Sequence, residues 1–289
     1  MKTPAIKFNE RGTRLLQQAK LREAGEQFRK AAAAAPRWSV PWFNLGLVYK
    51  FQHSWPECLR YNQKAVALDS ADAGAWWNLG IAATALGDWR EARRAWRGYG
   101  IDIADGDDPP LMKLGPTPIR IDPTGNPEVV WTKRLDPARA QIQNVPTPAS
   151  GRRYQDIVLH DGEPAGFRDL GGVEVPVFNE LELLYASPFS TYEVIIEASA
   201  KEDRTALTRL AEAREIGIDN WSALRMLCKL CSEGKPHDAH HPQPSGDGPL
   251  VRYGMAAQDE TDLYALFDEW RKERPDCLVH QMECVFEAE

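Results

Sequence analysis

Cys228-Lys-Leu-Cys231, followed by His237, His240 and His241, gathers residue types that bind zinc. Cys228, Cys231, His237 and His240 could close a tetrahedral site. The same stretch carries a plainer reading. Leu224, Leu227, Cys228 and Cys231 recur at i, i+3, i+4 and i+7, the apolar stripe of a helix ending near Ser232. Cysteine packs well as a small core residue. The segment GKPHDAHHPQPSGDGP has loop composition, which leaves its histidines solvated. A thioredoxin-like use fits worse, because that motif opens a helix after a strand and this pair ends one. His160-Asp161 and Glu163 offer acid–base groups around a turn, where polar residues are ordinary. No phosphate loop, nucleophile elbow or HExxH sequence occurs. No residue set is therefore assigned catalysis, and no cofactor is expected beyond the zinc candidate.

Arg90, Arg93, Arg94 and Arg97 form a second cluster, at i, i+3, i+4 and i+7. That spacing puts four guanidiniums on one helical face, with Trp89, Ala92, Trp96 and Tyr99 on the packing side. The face is either solvated or set against an acidic surface, since arginine suits bidentate carboxylate pairing. Nucleic acid is the weakest of the options. The sequence isoelectric point is about 5.5, and no nucleic-acid motif is present. The net charge of −7 hides an asymmetry. Residues 1–104 hold 16 Lys+Arg against 9 Asp+Glu, and the remainder holds 19 against 33. Two separately solvated regions explain this, as does docking of the basic one on the acidic one or on an acidic partner.

The elements that position these residues must fit a chain of 289 residues, comfortable for two domains. An apolar share of 43% with 10 tryptophans indicates a well-packed globular protein. No run of about 18 apolar residues is present, and the N-terminus lacks a signal-peptide core, so a cytoplasmic protein without a membrane span is expected. Five cysteines, an odd number, read as reduced thiols.

Internal repetition decides the first third. Segments starting at Lys7, Pro41 and Ala75 align without gaps at a period of 34. Phe8, Trp42 and Trp76 share a column; so do Gly12, Gly46 and Gly80, and so do Ala24, Cys58 and Ala92. Leu45 and Leu79 precede two of the glycines, and Pro36 closes the first copy. Residues 7 to about 104 resemble the tetratricopeptide repeat family, most closely in Trp42-Phe-Asn-Leu45-Gly46-Leu-Val-Tyr49. The resemblance implies three helix pairs (7–40, 41–74, 75–104), close backbone approach at the glycines, and a stack that curves around a concave groove. It also implies that Phe43, Asn44, Leu47, Phe51, Trp77, Asn78 and Ile81 line that groove. Their apolar character suits an apolar or aromatic segment of another protein, unless the chain covers the groove itself. One subclass of the family grips C-terminal carboxylates of chaperones with a Lys, Asn and Arg clamp. Its positions here carry Asn9, Thr13, Asn44, Gly74 and Asn78; only Asn44 fits, so that ligand is not expected. Arg93 replaces the apolar residue that Leu59 supplies one repeat earlier, so no ordinary fourth repeat should follow.

Residues 105–127 are rich in Pro, Gly and Asp and read as a linker, with Leu111, Met112, Leu114 and Ile119 as anchors. From Glu128 the period becomes two. Strands at 128–136 and 138–146 should join at Asp136-Pro137, and a hairpin should turn at Gly162-Glu-Pro. The fold expected is α plus α+β: the helical solenoid, an antiparallel β unit at 128–190, and a ferredoxin-like α/β sandwich at 191–289. The sandwich rests on the helical faces of Leu207, Leu210 and Ala211 and of Leu263, Leu266, Phe267 and Trp270, each after a strand. The function expected is a protein-binding adaptor with a C-terminal regulatory or second-partner region, not an enzyme. The alternative is an enzymatic or zinc-binding C-terminal region that the repeats recruit to a target.

Overall fold

The structure, a computed structural model, describes residues 3–223 and 249–288. They divide into two compact units: 1–112 with Leu135–Ala138, and 113–134 with 139–289.

Six helices build the first unit: α1 Pro4–Gln17, α2 Leu21–Ala34, α3 Ser39–Phe51, α4 Trp55–Leu68, α5 Ala73–Ala85 and α6 Trp89–Tyr99. Odd and even members pair as hairpins, and consecutive hairpins stack. The turn inside each hairpin also repeats every 34 residues. Ala19, His53 and Gly87 all adopt positive φ, at 57°, 54° and 68°. The residue after each donates its N–H back to the carbonyl of Leu15, Tyr49 or Ala83, which satisfies a helix-end carbonyl. Only the third copy uses the residue that adopts this conformation without steric cost.

The glycine column has a more specific task than backbone approach. A Cβ on Gly12 would lie 2.5 Å from the Phe28 ring, and one on Gly80 would lie 2.5 Å from the Trp96 ring. At Gly46 it would collide with the Asn62 amide. Each glycine thus receives a large side chain sixteen residues later. Ala24, Cys58 and Ala92 are fully buried beside them.

The second unit opens with a closed five-stranded barrel: β1 Pro116–Ile121, β2 Glu128–Arg134, β3 Arg139–Ile142, β4 Ile157–Leu170 and β5 Val173–Tyr185. Neighbours along the chain pair antiparallel, and β1 closes against β5 in parallel through Ile119↔Phe178 and Arg120↔Asn179. Ile119, Ile121, Val130, Ala140, Ile142, Val158 and Phe178 fill it. Two expectations need correction. The stretch 105–127 is not all linker, because β1 lies within it. Pro116 and Pro118 share one parity, so their missing N–H groups fall on one side, and β5 pairing begins only at Ile119. Gly162-Glu-Pro is not a turn: β4 runs through it with irregular register, and the chain reverses at Gly171 and Gly172, whose φ values are 62° and 88°.

A four-stranded antiparallel sheet completes the unit, in the order β7–β8–β6–β9: β6 Ser190–Glu197, β7 Gly217–Asn220, β8 Leu250–Ala257 and β9 Leu278–Phe286. Helices α7 Lys201–Ala213 and α8 Glu260–Glu273 cover one face. Leu207, Leu210, Leu263, Leu266, Phe267 and Trp270 pack there on Val194, Ile196 and Met255. Trp270 Nε1 donates to the Asp203 carbonyl (2.9 Å), tying the helices together. The short β7 was not legible in the sequence. Barrel and sheet are fastened by Trp221 Nε1 donating to Val145 O (3.1 Å) and by Asp219 accepting from Val145 N and Asn144 Nδ2. No helix among the described residues is long and apolar enough to cross a membrane.

Candidate functional site

The groove residues expected from the repeat register do not form one open surface. Phe43, Asn44 and Leu47 on α3 are half-buried, and Phe51 at the end of that helix is 45% exposed. Phe43 leans on the core of Ala65, Val66, Ala75 and Leu79, while its outer side stays accessible. These four residues follow helical spacing along α3.

The α5 residues behave otherwise, and the expectation for them is corrected. Ile81 is fully buried and Asn78 is 5% exposed. Asn78 Oδ1 accepts from Lys50 Nζ at 3.2 Å, itself a buried cation, so the amide is used inside the protein. Trp77 sits edge-on to Trp96 (5.1 Å) and Tyr99 (4.7 Å), both on its hairpin partner α6. It packs the last hairpin, where the sequence had it facing a ligand. The first unit also contains Leu135–Ala138, all buried.

The amides along the inner helices bond to each other. Asn44 Nδ2 donates to Asn9 Oδ1 at 2.9 Å. Neither a guanidinium nor an ammonium occupies the carboxylate-clamp positions Asn9, Thr13, Asn44, Gly74 and Asn78. Burial pushes the Cys58 thiol up to about 12, so this cysteine packs and does not react as a thiolate.

The arginine face is occupied by the segment that follows it. Arg90 pairs with Asp107, and Arg97 with Asp105. Arg93, only 8% exposed, donates from Nε to Ala104 O (2.9 Å) and from Nη1 to Asp108 O (2.6 Å). Arg94 holds Glu91 at 2.6 Å and lies over the Trp76 ring at 5.1 Å. Hydrogen bonding to Arg94 lowers the Glu91 pKa, and bonding to Arg90 lowers that of Asp107. Residues 104–108 therefore finish the stack where a fourth repeat would stand. Among the described residues the next α-helix is α7.

The acid–base candidates near residue 160 are placed in the barrel. His160 is fully buried and stacked on Phe178 (5.5 Å). Its Nδ1 lies 2.7 Å from Asp161 O, and Nε2 has no partner. Burial, reinforced by the charge of Arg134, lowers its pKa to about 4, so the ring is neutral and sealed from substrate. Glu163 is exposed and Asp161 half-buried. The zinc candidates Cys228, Cys231, His237 and His240, with His241, lie outside the described residues. Among those described, no group of three or more His, Cys, Asp or Glu is placed to hold a metal ion.

Sequence reasoning missed the buried polar braces of the second unit. Asp156, fully buried, accepts from Arg153 N and Ser187 N, both at 2.7 Å. Glu180 takes Arg152 Nε at 2.6 Å and Asp122 N at 2.8 Å. Apart from Arg153, their partners are distant in sequence, so no local pattern announces them.

No protein-family model matches the chain, and no curated protein does. Solved structures do, each over about a third of the chain. The second TPR of Spaghetti (RPAP3) bound to HSP90 peptide SRMEEVD is 24% identical, with a TM-score of 0.33, and covers 34% of this chain and 90% of that one. The first TPR of the same protein, bound to the same peptide, is 25% identical with a TM-score of 0.32, covering 33% and 76%. The Arabidopsis OM64 TPR domain is 16% identical with a TM-score of 0.32, covering 33% and 79%. Independently of these likenesses, the N-terminal helices carry the 34-residue register of helices, glycines and turns that the sequence resemblance implies.

Proposed function

We propose that the protein is a non-catalytic adaptor whose three tetratricopeptide repeats bind an apolar or aromatic segment of another protein. The observation that carries this reading is the row on α3: Phe43 and Leu47 half-buried and Phe51 45% exposed on an inner helix of the stack. Accessible apolar residues in a helical groove are what an amphipathic or extended segment recognises. The reading narrows the site to α3, since Asn78 and Ile81 are buried and Trp77, though half-buried, is engaged by Trp96 and Tyr99. It disfavours an acidic C-terminal tail, because Asn44 is bonded to Asn9 and none of the clamp positions carries a lysine or arginine. The second unit would supply a further contact or a regulatory function. Its sheet order and two covering helices support a ferredoxin-like sandwich.

Selection from a displayed random-peptide library on the full chain tests the site. Peptides with aromatic or branched apolar residues should be enriched, and binding should fall at least tenfold in Leu47→Ser with Phe51→Ser, about 1.4 kcal/mol or more. Both positions are accessible enough that helical content should hold. Enrichment of acidic C-terminal peptides, or unchanged binding by the double variant, would overturn the proposal.

A further inference from the structure

The last inner helix of the repeats is covered more completely than its place in the stack accounts for. Every residue of α5 from Asn78 to Thr84 is buried. A helix buried over almost two turns is covered on all sides. Helices α3, α4 and α6 pack on it. Helix α3 has an inner helix on both sides, α1 and α5, yet its Asn44, Leu47 and Tyr49 stay half-buried. The contrast is sharpest in one column. Lys50 on α3 is covered by the next inner helix, where Asn78 Oδ1 accepts its Nζ at 3.2 Å. Thr84 stands 34 residues later, and no inner helix follows it in the first unit. Only 2% of Thr84 is exposed all the same, and Ile81 one turn before it is fully buried.

The cover must come from a non-helical part of the same unit. Residues 104–108 are engaged on α6 by Arg90, Arg93 and Arg97, and are themselves exposed. Residues 109–112 contribute one buried residue, Pro110. What is left is Leu135–Ala138, the link between β2 and β3, which belongs to the first unit. Connections of this kind normally run over a protein's surface. Here Leu135 is 8% exposed, Asp136 and Ala138 are fully buried, and Pro137 is buried as well. Met112 N donates to Leu135 O at 2.7 Å, which joins the link to the chain leaving α6. Ala138 N donates to Asp136 Oδ1 at 2.9 Å, which holds the link in a compact turn.

We infer that Leu135–Ala138 lies on α5 as an internal ligand of the repeats. It fills the half of the concave groove that Ile81 and Thr84 would otherwise open, and leaves α3 for a partner. A partner segment longer than the α3 row has to displace it, so the groove is held half closed. That consequence rests on the reading of α3 as the binding site; the placement of the link does not.

Maleimide labelling of the full chain, mapped by peptide mass spectrometry, tests the placement. Thr84→Cys should label slowly, and Phe51→Cys on the open helix quickly. Adding Ala138→Arg sets a long cation where a methyl is fully buried and should expel the link. Labelling at position 84 should then rise roughly tenfold or more. Native Cys58, fully buried between the helices, should stay unlabelled throughout. Fast labelling of Thr84→Cys without Ala138→Arg would overturn the inference. So would protection that Ala138→Arg does not relieve. Labelling of Cys58 together with position 84 would mean that the link keeps the repeats folded and covers no separate face, which would overturn it too. The consequence is read separately, by the affinity of long peptides selected on the full chain. They should bind the Ala138→Arg chain several-fold more tightly. Unchanged affinity beside an accessible position 84 would remove the competition and leave the placement standing.

Discussion

The helical repeats and the barrel-and-sheet unit keep their large buried side chains in opposite ways. In the repeats, each is received by a near neighbour: Phe28 by Gly12 and Trp96 by Gly80, sixteen residues apart. In the barrel, Ile119 reaches Phe178 only after the intervening strands have been laid down. The first arrangement sums local units and nearest-neighbour interfaces. The second has little to gain until the ring closes, because loop closure comes before the contacts that repay it. Buried polarity follows the same division. In the repeats it amounts to single bonds between adjacent helices, such as Lys50 to Asn78. In the second unit it forms braces between remote strands and loops, such as Asp156 to Ser187 and Glu180 to Asp122. Damage should therefore stay local in the one and spread in the other.

The largest effect expected is a response to acid confined to the second unit. His160 is neutral in the fold, with a pKa near 4 against about 6.5 when unfolded. A lowered histidine pKa means the unfolded chain takes up the proton first. Stability is then intact above about pH 6.5 and falls as the pH drops toward 4, by on the order of 3 kcal/mol at the bottom of the window. Burial raises the Glu128, Asp156 and Asp219 carboxyls, which works in the opposite direction, so the slope should be clearest in the upper part of the window. Hydrogen exchange across this range should show β1–β5 loosening while the helices hold. His160→Phe should flatten the dependence. An equal slope in the variant, or equal loosening of the helices, would break the proposed division.

A smaller and local loss is expected from Gly80→Ala. The new methyl meets the Trp96 ring, which is fully buried and unable to withdraw, at about 1–3 kcal/mol. Faster exchange should be limited to α5, α6 and the hairpin beside them, and Trp96→Leu in the same chain should recover part of the loss. Loosening that spreads through the second unit would show that the repeats are not additive.

The smallest effect belongs to Arg90. Its pair with Asp107 is open to solvent, at 80% and 64% side-chain exposure, and such pairs are screened and weak. Arg90→Ala should leave the melting temperature unchanged within error. Arg93→Ala should lower it, because two carbonyls lose a buried donor. Equal effects from the two would mean that burial does not separate them.

How far the sequence could be read follows from the same contrast. Columns 34 residues apart expose the repeats because each one solves the same packing problem with the same residue types. The helical faces of Leu207 and Leu263 were legible for a similar reason. The strand β1 was hidden because its prolines are tolerated only where β5 pairing has not begun, which is a fact about a partner some sixty residues away. The α3 groove residues were placed by register. Asn78 and Ile81 were misjudged because register reports direction along a helix and says nothing of what lies on top.

The parallel seam between β1 and β5 decides where the chain can be shortened. Composition invites a cut at residue 127, just ahead of the first stretch that alternates like a strand. A fragment starting at Glu128 would lack one stave of a closed cylinder. The ladder of β2 from Glu128 to Lys133 would stand open, and so would Phe178 and Asn179 of β5. Ile142, Val158 and Phe178 would then face water through the gap, and such a fragment should collect in inclusion bodies or swap strands between copies. A fragment intended to fold alone must begin before Pro116, inside the stretch that looks least like structure.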